Sequence, residues 1–369
     1  MISIQTATRD YEAWLRSELR GELVEQDIDK KHEKMARPEP FPFFRATYWR
    51  WAERIFEICP RREIENAPQV LSVGDIHVEN YGMWRDADMR LIWGVNDFDE
   101  AAEMPYVLDP LRLAASALAG QPDSRAFSSR RICKTILDGY RRGLEKPRPF
   151  VLEKGHEWLR DWILGAESED ERRKFWAKLD RDDGKVPQPR YARALEAALP
   201  DGAEDIRIVP RRAGLGSLGR PRWVAIARWK GGPVVREAKA LAQSAWCRTH
   251  RPEDRAIRAG DLACGRYRAP DPWLSLHDGI VVRRLAPHSR KIDSVFAQEH
   301  AVTDQLLRAM GRELGSIHAV SGKTDAILED LESRDRHWLS DAAERAVDIM
   351  KADHLAWRKA WKADHGDDA

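Results

Sequence analysis

The sequence predicts an α+β fold, mostly helical with a small antiparallel sheet, on three observations. Strand-like runs do not alternate one for one with helical runs; the order is helices, a hairpin, helices, a small group of strands, and helices again. Two apolar runs, 81–85 and 89–95, flank the turn formers Asp86, Ala87 and Asp88, which is a hairpin pattern. A second set of runs, over 207–209, 223–229, 233–237 and 279–285, is punctuated by Gly214, Gly216 and Gly219 and by the turn Lys230, Gly231, Gly232.

Taken in order, residues 6–36 have the periodicity of a polar amphipathic helix. Two prolines and three phenylalanines between Glu39 and Phe44 break that pattern and predict an extended, buried strap. Residues 45–58 read as helix, stopped by Pro60. A strand over 69–73 runs into Gly74, and the hairpin follows. Helices are expected over 109–119 and 124–145, then a long charged helical region to about 199. Beyond the strands, 241–250 and almost everything after 285 read as helix. Fifteen tryptophans include the i, i+4 pairs Trp158/Trp162 and Trp357/Trp361, which share helix faces and suit packing better than a binding box. The chain shows no internal repeat and no low-complexity linker.

Composition narrows the function classes. The 369 residues carry 62 Lys plus Arg against 61 Asp plus Glu, a formal charge of +1. That balance gives no global pull toward nucleic acid or a membrane surface. No apolar run approaches the roughly 18 residues of a membrane span, and the N-terminus lacks the pattern of a secretory signal. Four scattered cysteines fit a reduced, cytoplasmic setting. Cys247, His250 and Cys264 have metal-like spacing without a clear fourth ligand, so buried thiols and a surface histidine are expected. Basic clusters at 207–212 and 283–291, with Arg283 and Lys291 the residues most suited to an anion, read first as solvated faces.

The chemistry concentrates between Gly74 and Asp99. If the hairpin forms, its open end brings Asn80 beside Asn96 and Asp97, with Asp75 one short loop away. One or two carboxylates with an amide oxygen, and room for water or phosphate, are what a magnesium ion takes. The hairpin thus gathers the oxygens of Asn80, Asn96 and Asp97, with those of Asp75 nearby, at one rigid end. His77 suits a role holding the loop together, since imidazole is a poor magnesium ligand. With zinc or manganese instead, Asp75, His77 and Asp97 would suggest a metal-dependent hydrolase.

Asp75 precedes Asn80 by five residues, and Asp97-Phe98 follows a strand, which resembles the catalytic loop and metal-binding aspartate of kinases. Gly-Asp-x-His-x-x-Asn followed by Asp-Phe-Asp is closer still to the aminoglycoside phosphotransferase and choline kinase branch. That resemblance implies Asp75 as the base toward a substrate hydroxyl and Asn80 and Asp97, with Asp99, as magnesium ligands. It also matches Asp109 to a later structural aspartate, here expected to cap its helix. Gly214-x-Gly-x-x-Gly219 precedes two strands and the cations Arg236 and Lys239, the order of a phosphate-cradling glycine loop. Gly214, Gly216, Ser217, Gly219, Arg236 and Lys239 are thus the candidate contacts to ATP.

These parts come in the wrong order for an ordinary kinase, because the glycine loop follows the catalytic loop. The arrangement resembles the domain-of-unknown-function 2252 family from about residue 31 to about 322. Its marks are Phe41–Thr47, Gly74–Gly82, Asn96–Ala101, Gly214–Gly219, Val282–Leu285 and His318–Gly322. The implied fold is bilobal, kinase-like and circularly permuted. Residues 1–204 would form a helical catalytic lobe, 205–290 a β-rich lobe covering the nucleotide, and 291–369 helices packing back. The implied activity is magnesium–ATP-dependent transfer of a phosphoryl or nucleotidyl group to the hydroxyl of an unidentified small molecule or protein. Where the family pattern reads Lys-Glu-Ala-Arg, this chain reads Arg236-Glu-Ala-Lys239, which keeps a non-catalytic, pseudokinase-like nucleotide-binding module as the alternative.

Overall fold

The computed structural model describes residues 2–121, 127–164, 169–179, 184–287 and 303–366. Its N-terminal helix is two helices, Ile4–Glu18 and Glu25–Met35, because Arg20 and Gly21 take positive φ between them. The expected strap is instead a short helix, Pro40–Ala46. Pro40 opens it, where a missing N–H costs nothing, and Pro42 still lies in the first turn. Phe43 and Phe44 are buried as expected.

Among the described residues five strands lie in the helical body: β1 (Gln69–Ser72), β2 (Tyr81–Arg85), β3 (Leu91–Val95), β4 (Ala102–Pro105) and β5 (Phe150–Val151). The hairpin forms in the expected register, Tyr81 opposite Val95 and Arg85 opposite Leu91, and β5 extends it to three strands. Asp86 Oδ1 accepts from the Asp88 and Arg90 amides and closes the turn, so the second strand starts two residues later than its apolar pattern suggests. β1 pairs antiparallel with β4, which sequence periodicity did not reveal. Five further strands, β6 (Glu204–Pro210), β7 (Arg222–Trp229), β8 (Gly232–Ala240), β9 (Ser275–His277) and β10 (Ile280–Leu285), form an antiparallel sheet in the order β6-β7-β8-β10-β9.

Burial on that sheet follows the two-residue pleat. Ala225, Ala227, Ala238, Ala240 and Val282 join the main core, which runs without a break into the helical body. The opposite face starts apolar, with Val209, Val224 and Val235 packed under Leu179, and turns charged toward the strand ends.

Among the described residues the most extensive helix–helix packing joins helix Ser129–Glu145 to helix Asp304–His318. Gly139 and Gly143 on one meet Gly311 and Gly315 on the other. A Cβ at any of the four would lie 2.1 Å from a carbonyl oxygen across the seam, those of Arg308, Arg312, Ile136 and Tyr140 respectively. The two backbones therefore touch directly. The long C-terminal helix Trp338–His365 packs over helix Leu108–Ala119 and closes the body.

Candidate functional site

The loop after β1 is fixed from below. Asp109 is fully buried, and its two oxygens accept from the Val73 amide (2.7 Å) and the Gly74 amide (2.9 Å). His318 closes on Asp109 Oδ2 through Nε2 at 3.1 Å, and its Nδ1 meets the Tyr140 hydroxyl at 2.7 Å. Asp109 is thus structural, but as a clamp on the loop rather than a helix cap: Val107 occupies the cap position, with no side-chain bond. Gly74 has φ +81°, and a Cβ there would lie 2.5 Å from the Glu100 carbonyl oxygen, so only glycine fits.

Asp75 emerges from that turn. Its Oδ1 accepts from Arg112 Nη2 at 2.8 Å, and Arg112 is itself held by the Phe44 carbonyl and the Phe44 ring. Burial raises the Asp75 carboxyl above its usual range, and the Arg112 guanidinium opposes that rise. Asn80 sits where the hairpin opens. Its amide nitrogen donates to the Asp75 carbonyl (3.2 Å) and the Asp97 carbonyl (3.0 Å). Its Oδ1 is buried and makes no hydrogen bond. Asp97 and Asp99 follow β3, and both are bridged by Lys239: Nζ lies 3.1 Å from Asp97 and closes on Asp99. Burial raises the Asp99 carboxyl, and the Asp97 charge adds to the effect. Burial likewise pushes Glu100 up to about 7, against the pull of Arg220, which donates to it at 2.8 Å.

The pleat of β8 decides between its two cations. Residues three apart on a strand face opposite ways. Lys239 points into the cleft with Glu237. Arg236 points away, donating to the Ala198 carbonyl at 2.8 Å and lying over the Trp273 ring, so it takes no part in the cleft. Glu237 is almost fully buried among Arg211 (2.5 Å), Arg222 (3.0 Å) and Arg283 (2.7 Å). Burial alone would raise its carboxyl; the three guanidiniums overcome that and hold it well below the usual range. Arg283 and Arg211, expected on solvated faces, are therefore cleft residues. Lys291 lies outside the described residues.

The glycine-rich turn crosses above Asp75. A Cβ on Gly216 would sit 3.4 Å from Asp75 Oδ2, and the buried Lys31 donates to the Gly216 carbonyl at 3.3 Å. Ser217 Oγ accepts from Arg222 at 2.8 Å. Gly219 packs against Ile28, and its carbonyl accepts from the Val24 amide, so it docks the turn on the N-terminal helices.

Two cavities meet here. The larger, about 310 Å³, runs from Asp97 and Asp99 past Lys239 and Arg283 to an apolar end at Met83, Leu274, Leu276 and Val281. The smaller, about 50 Å³, is polar, walled by Asp75, His77, Asn80, Glu100, Ser217 and Arg220. Arg45, Asp97, Asp99 and Gly214 line both. Arg45 is ion-paired with the buried Glu79. His77 is buried, edge-on to Phe41.

An unpaired buried amide oxygen with two carboxylates is a donor set that fits a hard dication completed by phosphate and water. Among the described residues no three His, Cys, Asp or Glu side chains converge as a ready-made metal cage. Cys247 is buried as expected, but Cys264 is exposed, and His250 is half-buried instead of lying on the surface, its Nε2 meeting the Ala52 carbonyl at 2.9 Å. Residue spacing could not have found Lys31, Arg45, Arg112, Arg220 and Glu237, whose partners are distant in sequence. The one signal was a buried-type neighbourhood around charged letters, as in Leu111-Arg112-Leu113.

Fold and site together define a mixed α+β protein with a charged, two-chambered cleft between a helical body and a five-stranded sheet. Residues 23–182 match the model of a family described as an uncharacterized protein conserved in bacteria (DUF2252). The match confirms the resemblance over that stretch, narrower than its motifs suggested; it holds Asp75, Asn80, Asp97 and Asp99 but ends before the glycine-rich turn and Lys239. No curated protein and no solved structure matches the chain. Among the described residues no helix is long and apolar enough to cross a membrane.

Proposed function

We propose that the cleft binds a magnesium–nucleoside triphosphate, ATP in the simplest case, and transfers a phosphoryl or nucleotidyl group to a hydroxyl seated beside Asp75. The carrying observation is the junction of two unlike cavities at Asp97 and Asp99. The larger has an apolar end suited to a base, and seven cations against four carboxylates along its walls, suited to a polyphosphate. The smaller presents Asp75 to anything that reaches the junction.

In this reading Lys239, Arg211, Arg222 and Arg283 orient the phosphates. Asn80 Oδ1, Asp97 and Asp99 would hold magnesium, which would supply neutralising charge toward the phosphates. Arg112 fixes the Asp75 carboxylate, which accepts the hydroxyl proton. The acceptor oxygen forms its bond to the γ-phosphorus as the bond to the β-phosphate oxygen breaks and ADP leaves. Nucleotidyl transfer differs only in attack at the α-phosphorus, with pyrophosphate leaving. Positioning and charge complementarity supply most of the acceleration. The permuted kinase-like arrangement belongs to the same proposal, with residues 1–204 as the catalytic lobe, 205–290 as the cover and 291–369 packing back.

One observation favours a second reading, nucleotide binding without chemistry: Lys239 already bridges the two acids. Thermal unfolding with magnesium, ATP, both or neither tests the site. Stabilisation that needs both and disappears in Asp97→Ala is expected; no shift with any nucleotide would overturn the proposal. ADP or pyrophosphate release in the wild type, lowered by orders of magnitude in Asp75→Asn, separates an enzyme from a binding module.

A further inference from the structure

We propose that the groove beside the glycine seam is a second binding site, for a small, multivalent, phosphate-bearing anion. It lies between helix Ser129–Glu145, helix Asp304–His318 and the start of helix Glu157–Leu164, and encloses about 650 Å³. That volume suits a drug-sized molecule in a recess.

Five cations line it: Arg142, Lys146, Arg148, Arg308 and Arg312. The one carboxylate on its wall is Glu145. Among the described residues none of the five is ion-paired with an acid, whereas the neighbouring Arg131 holds Asp304 at 2.7 Å. Arg308 Nε is buried with no hydrogen-bond partner. Arg142, Lys146 and Arg148 lie exposed at its rim, and Arg308 and Arg312 lie deeper. Here the seam forces them together: Gly139 and Gly143 abut the carbonyls of Arg308 and Arg312, so those two side chains leave the backbone at the line of contact, half-buried.

The charges strain against one another. Burial lowers the Arg312 guanidinium from its ordinary value, and Arg148 and Arg142 lower it further. Burial also lowers His156, with Arg312 and Arg148 adding to the effect, so near neutral pH it is an uncharged donor or acceptor. Like charges gathered at this density are relieved by a multivalent anion. Arg forks match phosphate oxygens bidentately. The remaining wall is aromatic: Phe150 lies under Arg312 at 5.0 Å and beside His156 at 4.9 Å, and Trp158 stands next to them. These faces suit a flat or apolar portion of the same molecule. Trp158, expected from its i, i+4 spacing to be a packing residue, is thus also a wall of this groove.

Calorimetric titration of the full chain with pyrophosphate, without magnesium and at low salt, tests the site. Saturable binding is expected in the wild type and in the cleft variant Asp97→Ala/Lys239→Met. Affinity should fall at least ~10-fold in Arg148→Gln/Arg312→Gln and decline with added salt. Should that variant fold poorly, Arg142→Gln/Lys146→Gln alters only exposed positions and carries the same expectation. No saturable binding to the wild type would overturn the proposal, as would binding lost in the cleft variant but kept in the groove variants. A short single-stranded oligonucleotide is the competing ligand; tighter groove-dependent binding of it than of pyrophosphate would overturn the small-anion class.

Discussion

Replacing Gly139 with alanine sets two physical effects against each other. Alanine is the better helix former by about 1 kcal/mol, so propensity alone predicts stabilisation. The structure predicts the reverse. The new Cβ would lie 2.1 Å from the Arg308 carbonyl oxygen, about 1.3 Å inside the 3.4 Å at which ordinary contact begins. The obstruction is backbone, which has no rotamer to change, so the two helices must separate. Overpacking costs about 1–3 kcal/mol in general, and a backbone clash belongs at the upper end. The net expectation is a loss of about 2 kcal/mol, read as a lower urea midpoint at unchanged slope. Gly139→Ala/Gly311→Ala should lose less than the two single losses added, because helices parted by the first methyl already admit the second. A Gly139→Ala protein more stable than the wild type by about 1 kcal/mol would refute the close seam.

Three further outcomes follow from the site. Glu237→Gln leaves the buried Arg222 and the half-buried Arg211 and Arg283 facing a neutral amide and should cost about 3 kcal/mol at pH 7. Because the folded-state carboxyl is depressed, its stabilisation is present above the ordinary carboxylate pKa and lost as pH falls through the lower folded value; the gap between variant and wild type should narrow in acid denaturation below about pH 4.5. Asp109→Ala removes the acceptor of two buried amides and the partner of His318, so a loss of about 3 kcal/mol or more is expected in chemical denaturation. Lys239→Met removes the cation lodged between Asp97 and Asp99; magnesium alone should then raise the melting temperature more than in the wild type, while the shift with ATP shrinks.

What was legible in the sequence was local. The hairpin Tyr81–Val95 follows from two apolar runs and an aspartate-rich turn, and its register places Asn80 beside Asp97 without further information. The acids at 75, 97 and 99 could be grouped for that reason. Long-range pairs left no such trace. Arg112 meets Asp75 across 37 positions, and Arg220 meets Glu100 across 120. The choice between Arg236 and Lys239 failed on length: a strand expected to stop at 237 puts Lys239 beyond the pleat, whereas β8 runs to Ala240 and sorts the two by face. The glycines of the seam look unremarkable one helix at a time, since their meaning lies in the partner backbone. At Pro40–Ala46 the prolines read as a break in helical pattern, although Pro40 stands where a helix can start.

The clamp on the Val73–Gly74 loop has a consequence for how the protein is made. Asp109 needs His318, and the seam that carries His318 needs Gly311 and Gly315, all from the last sixth of the chain. A nascent chain emerging from the ribosome has made the acidic loop, the hairpin and the whole five-stranded sheet before the element that locks them exists. The clamp can close only once helix Asp304–His318 has been made, so a product terminated before it would carry nearly every charged residue of the site without the lock on its loop. Such a fragment would also expose the apolar faces that this helix covers in the finished protein, and so be prone to aggregate before it could act as a half-working binder.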